Sequence, residues 1–117
     1  MHVEATRQSI QELALKGELD IFQAAAVEEQ IRRRTSLPGD LLILSFEDVR
    51  YISSAIVNVL VSYRNRLGER LLIVVPADGT VRRVLRVLRL EERLNVHATL
   101  EGARARARRL LKEAARP

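Results

Sequence analysis

The sequence predicts an α/β fold: a small mixed sheet of about four to five strands with about four helices packed on it. Three observations carry that expectation. The runs at 41–46 (LLILSF) and 71–75 (LLIVV) are too short for ordinary helices and almost continuously apolar, as strands buried on both faces are. Between them, Ile56, Val59, Leu60, Tyr63 and Leu67 recur at helical spacing, and Gly68 stands where a helix ends. Strand, helix and strand in that order imply a right-handed parallel crossover.

The remaining elements follow in chain order. Val3 and Ala5 alternate as the inward residues of an edge strand do. Leu13, Leu15 and Leu19 fall on one face of a strand over 10–19, with a bend at Gly17. An N-terminal hairpin across Arg7-Gln8-Ser9 would join these two segments. Asp20 suits a helix N-cap, ahead of a helix whose apolar contacts are Phe22, Ala25, Ala26, Val27 and Ile31. Glu28 with Arg32 and Glu29 with Arg33 are i,i+4 pairs in the favourable order. Pro38-Gly39 marks a loop. Ser53 and Ser54 begin the central helix, where a hydroxyl caps free amides and a phosphate would be favoured by those amides and by the helix dipole. Pro76 stops the strand at 71–75. Asp78 or Thr80 is the expected cap of a third helix, with Val81, Val84, Leu85 and Leu88 as its face. A short last strand is expected near Asn95-Val96-His97, and Thr99 caps a final helix from 100 to about 115.

The chain has 117 residues, enough for one domain, 1–117, with a single core. No cysteine is present, which removes disulfides and thiolate-based metal or catalytic sites. The N-terminus has no signal-peptide pattern and no apolar run spans a bilayer, so a cytoplasmic location is expected. The formal charge is +5, dominated by arginine. A basic nucleic-acid-binding domain is therefore an alternative. The chain shows no nucleic-acid-binding motif, however, and nucleic acid is not the expected partner. His2 and His97 are isolated, so no metal site is expected. Glu47-Asp48 reads as loop solvation rather than an acid–base pair. Arg82, Arg83, Arg86 and Arg89 read as a wet helix face, without the glycine-rich loop that would cradle phosphate. The expectation is a protein that is not an enzyme and uses no cofactor.

Several of these stretches resemble the STAS domain family, shared by bacterial anti-sigma factor antagonists and the cytoplasmic tails of sulfate transporters. Gly17-Glu18-Leu19-Asp20 is similar to the family's Gly-Glu-Leu-Asp at the end of a long strand. Residues 42–54 are similar to its central strand and the Asp-Ser-Ser/Thr-Gly-Leu turn that follows. Residues 71–76 and 81–90 are similar to its later strand and the helix ending in a Gly-Leu signature, here Arg89-Leu90. The likeness runs from about Leu13 to Leu111.

The resemblance implies a domain that binds an anti-sigma factor or serine kinase and is switched by phosphorylation at the N-terminus of the central helix, with a phosphatase reversing it. By motif position the modified residue is Ser54. Asp20, Ser53, Ser54, Ala55 and Ile56 would form the partner-binding surface. The chain departs from the family's turn in having Ser53 for aspartate, Ala55 for serine or threonine, and Ile56 for glycine. Ser54-Ala55-Ile56-Val57 is closer to the Ser-Phe-Ile-Ala of the small scaffold subunit of stressosomes. A further branch, the STAS subunit of lipid-transport ABC complexes, carries threonine at the serine position. An antagonist would be a monomer or dimer; a stressosome subunit would sit in a large assembly.

Overall fold

The computed structural model describes residues 9–115. Three parallel strands form one sheet in the order β1 (Ile10–Leu19), β2 (Leu41–Ile52) and β3 (Leu71–Val74). The helix α1 (Ala24–Arg34) joins the first pair and α2 (Ser54–Leu67) the second. Beyond β3 come α3 (Thr80–Val87), the single turn α4 (Glu91–Leu94) and α5 (Leu100–Ala115). The short last strand is reduced to one parallel bridge, Val74 to His97, which extends the sheet beyond β3. The expected edge strand at 2–7 and its hairpin lie outside the described residues, so three strands and this bridge are what the described residues contain.

Alternation along β2 explains why its sequence is apolar without a break. Leu42, Leu44 and Phe46 face a core shared with Val27 and Ile31 of α1, Ile56 and Leu60 of α2, and Leu85 of α3. Leu41 and Ile43 face the other way, with Leu72 and Val74, against Ala103 and Ala107 of α5. Each face needs apolar side chains because a helix covers it.

The long strand does not keep one register. Between Ala14 and Lys16, β2 advances from Ser45 to Asp48; between Gly17 and Glu18 it advances from Val49 to Tyr51. Each step adds one residue to β2, which is a bulge, and each bulge turns over which residues face inward. The buried positions accordingly run Phe46, Val49, Ile52, at spacing three rather than two. Gly17, at φ +81°, supplies the left-handed backbone opposite the second bulge.

Several expected contacts are corrected. Phe22 is 86% exposed, and Ala25 and Ala26 are also on the surface. Only Val27 and Ile31 of α1 are buried; Phe22 lies nine residues before Ile31, half a helical revolution out of phase. Asp20 caps a 3-10 turn, Ile21–Gln23, that leads into α1 rather than α1 itself. α3 begins after Gly79 with no side-chain cap, so neither Asp78 nor Thr80 serves. Leu88 is 49% exposed because α3 ends at Val87 and the chain reverses at Arg89. Thr99 does cap α5, accepting from the Gly102 amide at 3.0 Å.

Candidate functional site

The site lies at one rim of the sheet, where β1 and β2 end. The Ser53 amide donates to the Leu19 carbonyl at 2.9 Å, so the end of β1 is tied to the start of α2. This bond brings the Asp20 turn beside the first turn of the central helix, although the two are over thirty residues apart in sequence. Asp20 is held locally by a capping box. Its Oδ1 accepts from the Phe22 amide at 2.9 Å, and its own amide donates to Gln23 Oε1 at 3.0 Å.

The adjacent serines have different positions. Ser53 is half-buried and is the N-cap: its Oγ accepts from the Ile56 amide at 3.4 Å, and its carbonyl takes the Val57 amide at 3.1 Å. Ser54 is the first residue of α2 and is exposed. Capping is thus carried by Ser53, and the Ser54 side chain stands at the positive end of the helix dipole facing solvent.

Ala55 is half-exposed beside them. Ile56, expected on the contact surface, is corrected: it is fully buried, in the core with Leu42, Leu44 and Leu60. A side chain in that position fixes the helix to the sheet and presents nothing to a partner. Two exposed apolar residues take its place at the rim. Ile21, 64% exposed, and Phe22 follow Asp20 directly in the turn that packs against α2. Their phase against Val27 and Ile31 was the signal that could have found them.

A groove of about 620 Å³ runs from Ser54 along α2. One wall is the seam Ser54, Asn58, Ser62 and Asn65, with Val57 and Val61 between them; the other is Leu88 and Leu90, from the turn between α3 and α4. Arg82 holds that second wall in place. It donates to the Val75 carbonyl at 2.6 Å and to Glu91 at 3.1 Å, joining the residue just past β3 to α3 and α4. Arg82 is therefore structural, whereas Arg83, Arg86 and Arg89 are exposed. Among the described residues, no cluster of three or more His, Asp or Glu side chains could hold a metal.

A parallel α/β sheet covered on both faces, with a serine-capped central helix opening onto a rim of polar and apolar side chains, defines a small α/β domain. Residues 4–103 match the STAS domain family, and the chain belongs to it. It is 26% identical over 100 residues to the anti-sigma-F factor antagonist RsfB of Mycobacterium tuberculosis, in two strains, covering 85% of this chain and 82% of the relative. Its fold is similar to the crystal structure of a sulfate transporter family protein from Wolinella succinogenes, with a TM-score of 0.71, 17% identity and 88% of each chain covered.

Proposed function

We propose that this domain regulates transcription as an anti-sigma factor antagonist does. It binds an anti-sigma factor or serine kinase through the rim formed by the Asp20 turn and the start of α2, and phosphorylation of Ser54 switches that binding. It acts by binding, in the cytoplasm, with no catalytic step or cofactor of its own. The observation that carries this reading is the division of labour between the serines: Ser53 caps, which leaves the Ser54 hydroxyl exposed for a kinase. The similarity to RsfB supports the choice of partner.

The physics of the switch follows from that position. A phosphate on Ser54 brings about −1.5 to −2 charges and three acceptor oxygens. The helix N-terminus accommodates them with little change of backbone. A partner packed against a neutral hydroxyl would instead have to desolvate a dianion. A loss of about 3 kcal/mol, the scale of an uncompensated buried charge, lowers affinity more than a hundredfold.

The test is to incubate the protein with the anti-sigma kinase encoded in the same genome and ATP, and to map phosphate by mass spectrometry. Phosphate at Ser54, lost in Ser54→Ala, and complex formation abolished by Ser54→Asp are expected. Phosphate at another residue, or a complex indifferent to Ser54→Asp, would overturn the reading. One observation favours a second reading. Ile56 is an apolar residue held in the core where the antagonist turn has glycine, and the likeness of Ser54-Ala55-Ile56-Val57 to Ser-Phe-Ile-Ala suits a stressosome-type subunit. Such a subunit would elute from a sizing column as a very large particle.

A further inference from the structure

The end of α3 is closed by a complete Schellman motif. The Leu90 amide donates to the Leu85 carbonyl at 2.8 Å, and the Arg89 amide to the Arg86 carbonyl at 3.0 Å. The residue between cap and return, Arg89, has φ +57°. Glycine is the usual occupant of that position because a Cβ is disfavoured in the left-handed region. Here an arginine is held there, with Leu88 and Leu90, both lining the groove, on either side of it. Residues held in a disfavoured conformation cluster where something is recognised.

The surroundings share one sign of charge. Between residues 80 and 94 there are five arginines and two glutamates. Glu91 is engaged by Arg82 at 3.1 Å and Arg86 at 3.5 Å, which leaves Glu92 as the other carboxylate of this segment. Arg93 reaches Asn65 on the opposite wall at 3.5 Å, which puts its guanidinium at that end of the groove. α2 itself carries no carboxylate. The walls, by contrast, are neutral: serines, asparagines and two valines on α2, leucines opposite, with Val87 75% exposed beside them.

We propose that this groove takes an acidic amphipathic helix of a protein partner, its apolar side chains against Leu88 and Leu90 and its carboxylates facing Arg89 and Arg93. The inference deepens the reading above and rests on it for the site, not for the chemistry. A helix fits because the α2 seam runs twelve residues, Ser54 to Asn65, roughly 16 Å or three turns. Exposed valine and leucine among the arginines favour a protein over a nucleic acid, whose backbone offers phosphates but no apolar face. Ser54 lies in the lining of the same groove, so a phosphate there would repel an acidic occupant as well as crowd it.

The probes are two synthetic 18-residue helical peptides with the same leucine stripe, one with glutamates on its polar face and one with lysines, and a 12-base-pair DNA duplex. The glutamate peptide should bind at least roughly tenfold tighter than the lysine peptide, weaken with added salt, and shift the amide resonances of Asn58, Ser62, Leu88 and Leu90. Arg89→Gly should raise the melting temperature by a few degrees while weakening the glutamate peptide several-fold. Rising stability with falling affinity is not what loss of a merely structural arginine would produce. Leu88→Ser should weaken both peptides. Equal binding of the two peptides, shifts confined to α5, displacement of the glutamate peptide by the duplex, or unchanged affinity in Arg89→Gly would each overturn the proposal. None of these outcomes bears on phosphate incorporation at Ser54, so a failure of this inference is distinguishable from a failure of the reading it rests on.

Discussion

Ser53 and Ser54 are adjacent in sequence and different in consequence. Ser53 accepts the Ile56 amide and ties its own amide to Leu19, so its hydroxyl belongs to the fold. Ser53→Ala should cost about 1 kcal/mol of stability, read as a lower urea midpoint with an unchanged slope. Ser54→Ala removes an exposed hydroxyl and should stay within about 0.5 kcal/mol of the parent while losing the phosphorylation site. Phe22 makes the complementary case. With most of its ring in solvent, Phe22→Ser should leave the unfolding free energy within about 0.5 kcal/mol of its parent value and weaken partner capture in a pull-down. A matching loss of stability in Phe22→Ser would assign the ring to the core instead.

Single elements carry the pH dependence. His97 joins the α4–α5 connection to the sheet: its amide donates to Ile73 at 2.8 Å and its carbonyl accepts from Val75 at 2.8 Å. Its Nε2 is buried without a hydrogen-bond partner. Burial first, and then the charges of Arg106, Arg64 and Arg109, lower its pKa from 6.5. The unfolded chain therefore binds the proton more readily than the folded one. Stability is full above pH 6.5 and is lost as the pH falls below it towards the folded pKa. The urea midpoint should drop between about pH 7.5 and pH 5.5, and His97→Gln should flatten that slope. Glu12 adds a separate, lower window. A hydrogen bond from Arg104 lowers its pKa, so its contribution is present above pH 4.5 and is lost as the pH falls through its folded value.

For the molecule as a whole, α5 decides whether the sheet is sealed. Ala103 and Ala107 are fully buried against Leu41, Ile43, Leu72 and Val74, at the centre of a contact that Leu100, Leu110 and Leu111 of the same helix flank. Ala107→Leu should cost about 1–3 kcal/mol by overpacking, read as a lower melting temperature. Phosphate incorporation at Ser54 should be unchanged in the folded fraction, because α5 covers the face away from α2.

Much of this fold was legible in the sequence for simple reasons. A run such as LLILSF must be buried on both sides, and helical spacing at Ile56, Leu60 and Tyr63 admits one face. The Gly-Glu-Leu-Asp and Ser-Ser turns carry local hydrogen bonds that their own side chains make, so Asp20 and Ser53 could be read as caps from their neighbours alone. The misplaced residues failed for equally physical reasons. Phe22 was counted by its hydrophobicity when its helical phase pointed outwards. Leu88 followed the periodicity of a helix that had already ended. Ile56 stood in a motif position associated with partner contact, yet the core took it.

The sequence by itself determined the three strands and the helices α1, α2, α3 and α5 in their order, and the serine pair at the head of the central helix, because those depend on local pattern and capping chemistry. Only the tertiary structure decided which of those residues share a rim. Two bulges in β2 reset which side chains face inward, and one hydrogen bond from Ser53 to Leu19 joins segments distant in the chain. The arginine at the left-handed end of α3 likewise acquires a groove only when α2 packs opposite it. Such pairings depend on register and on contacts between elements, which no local window of residues contains.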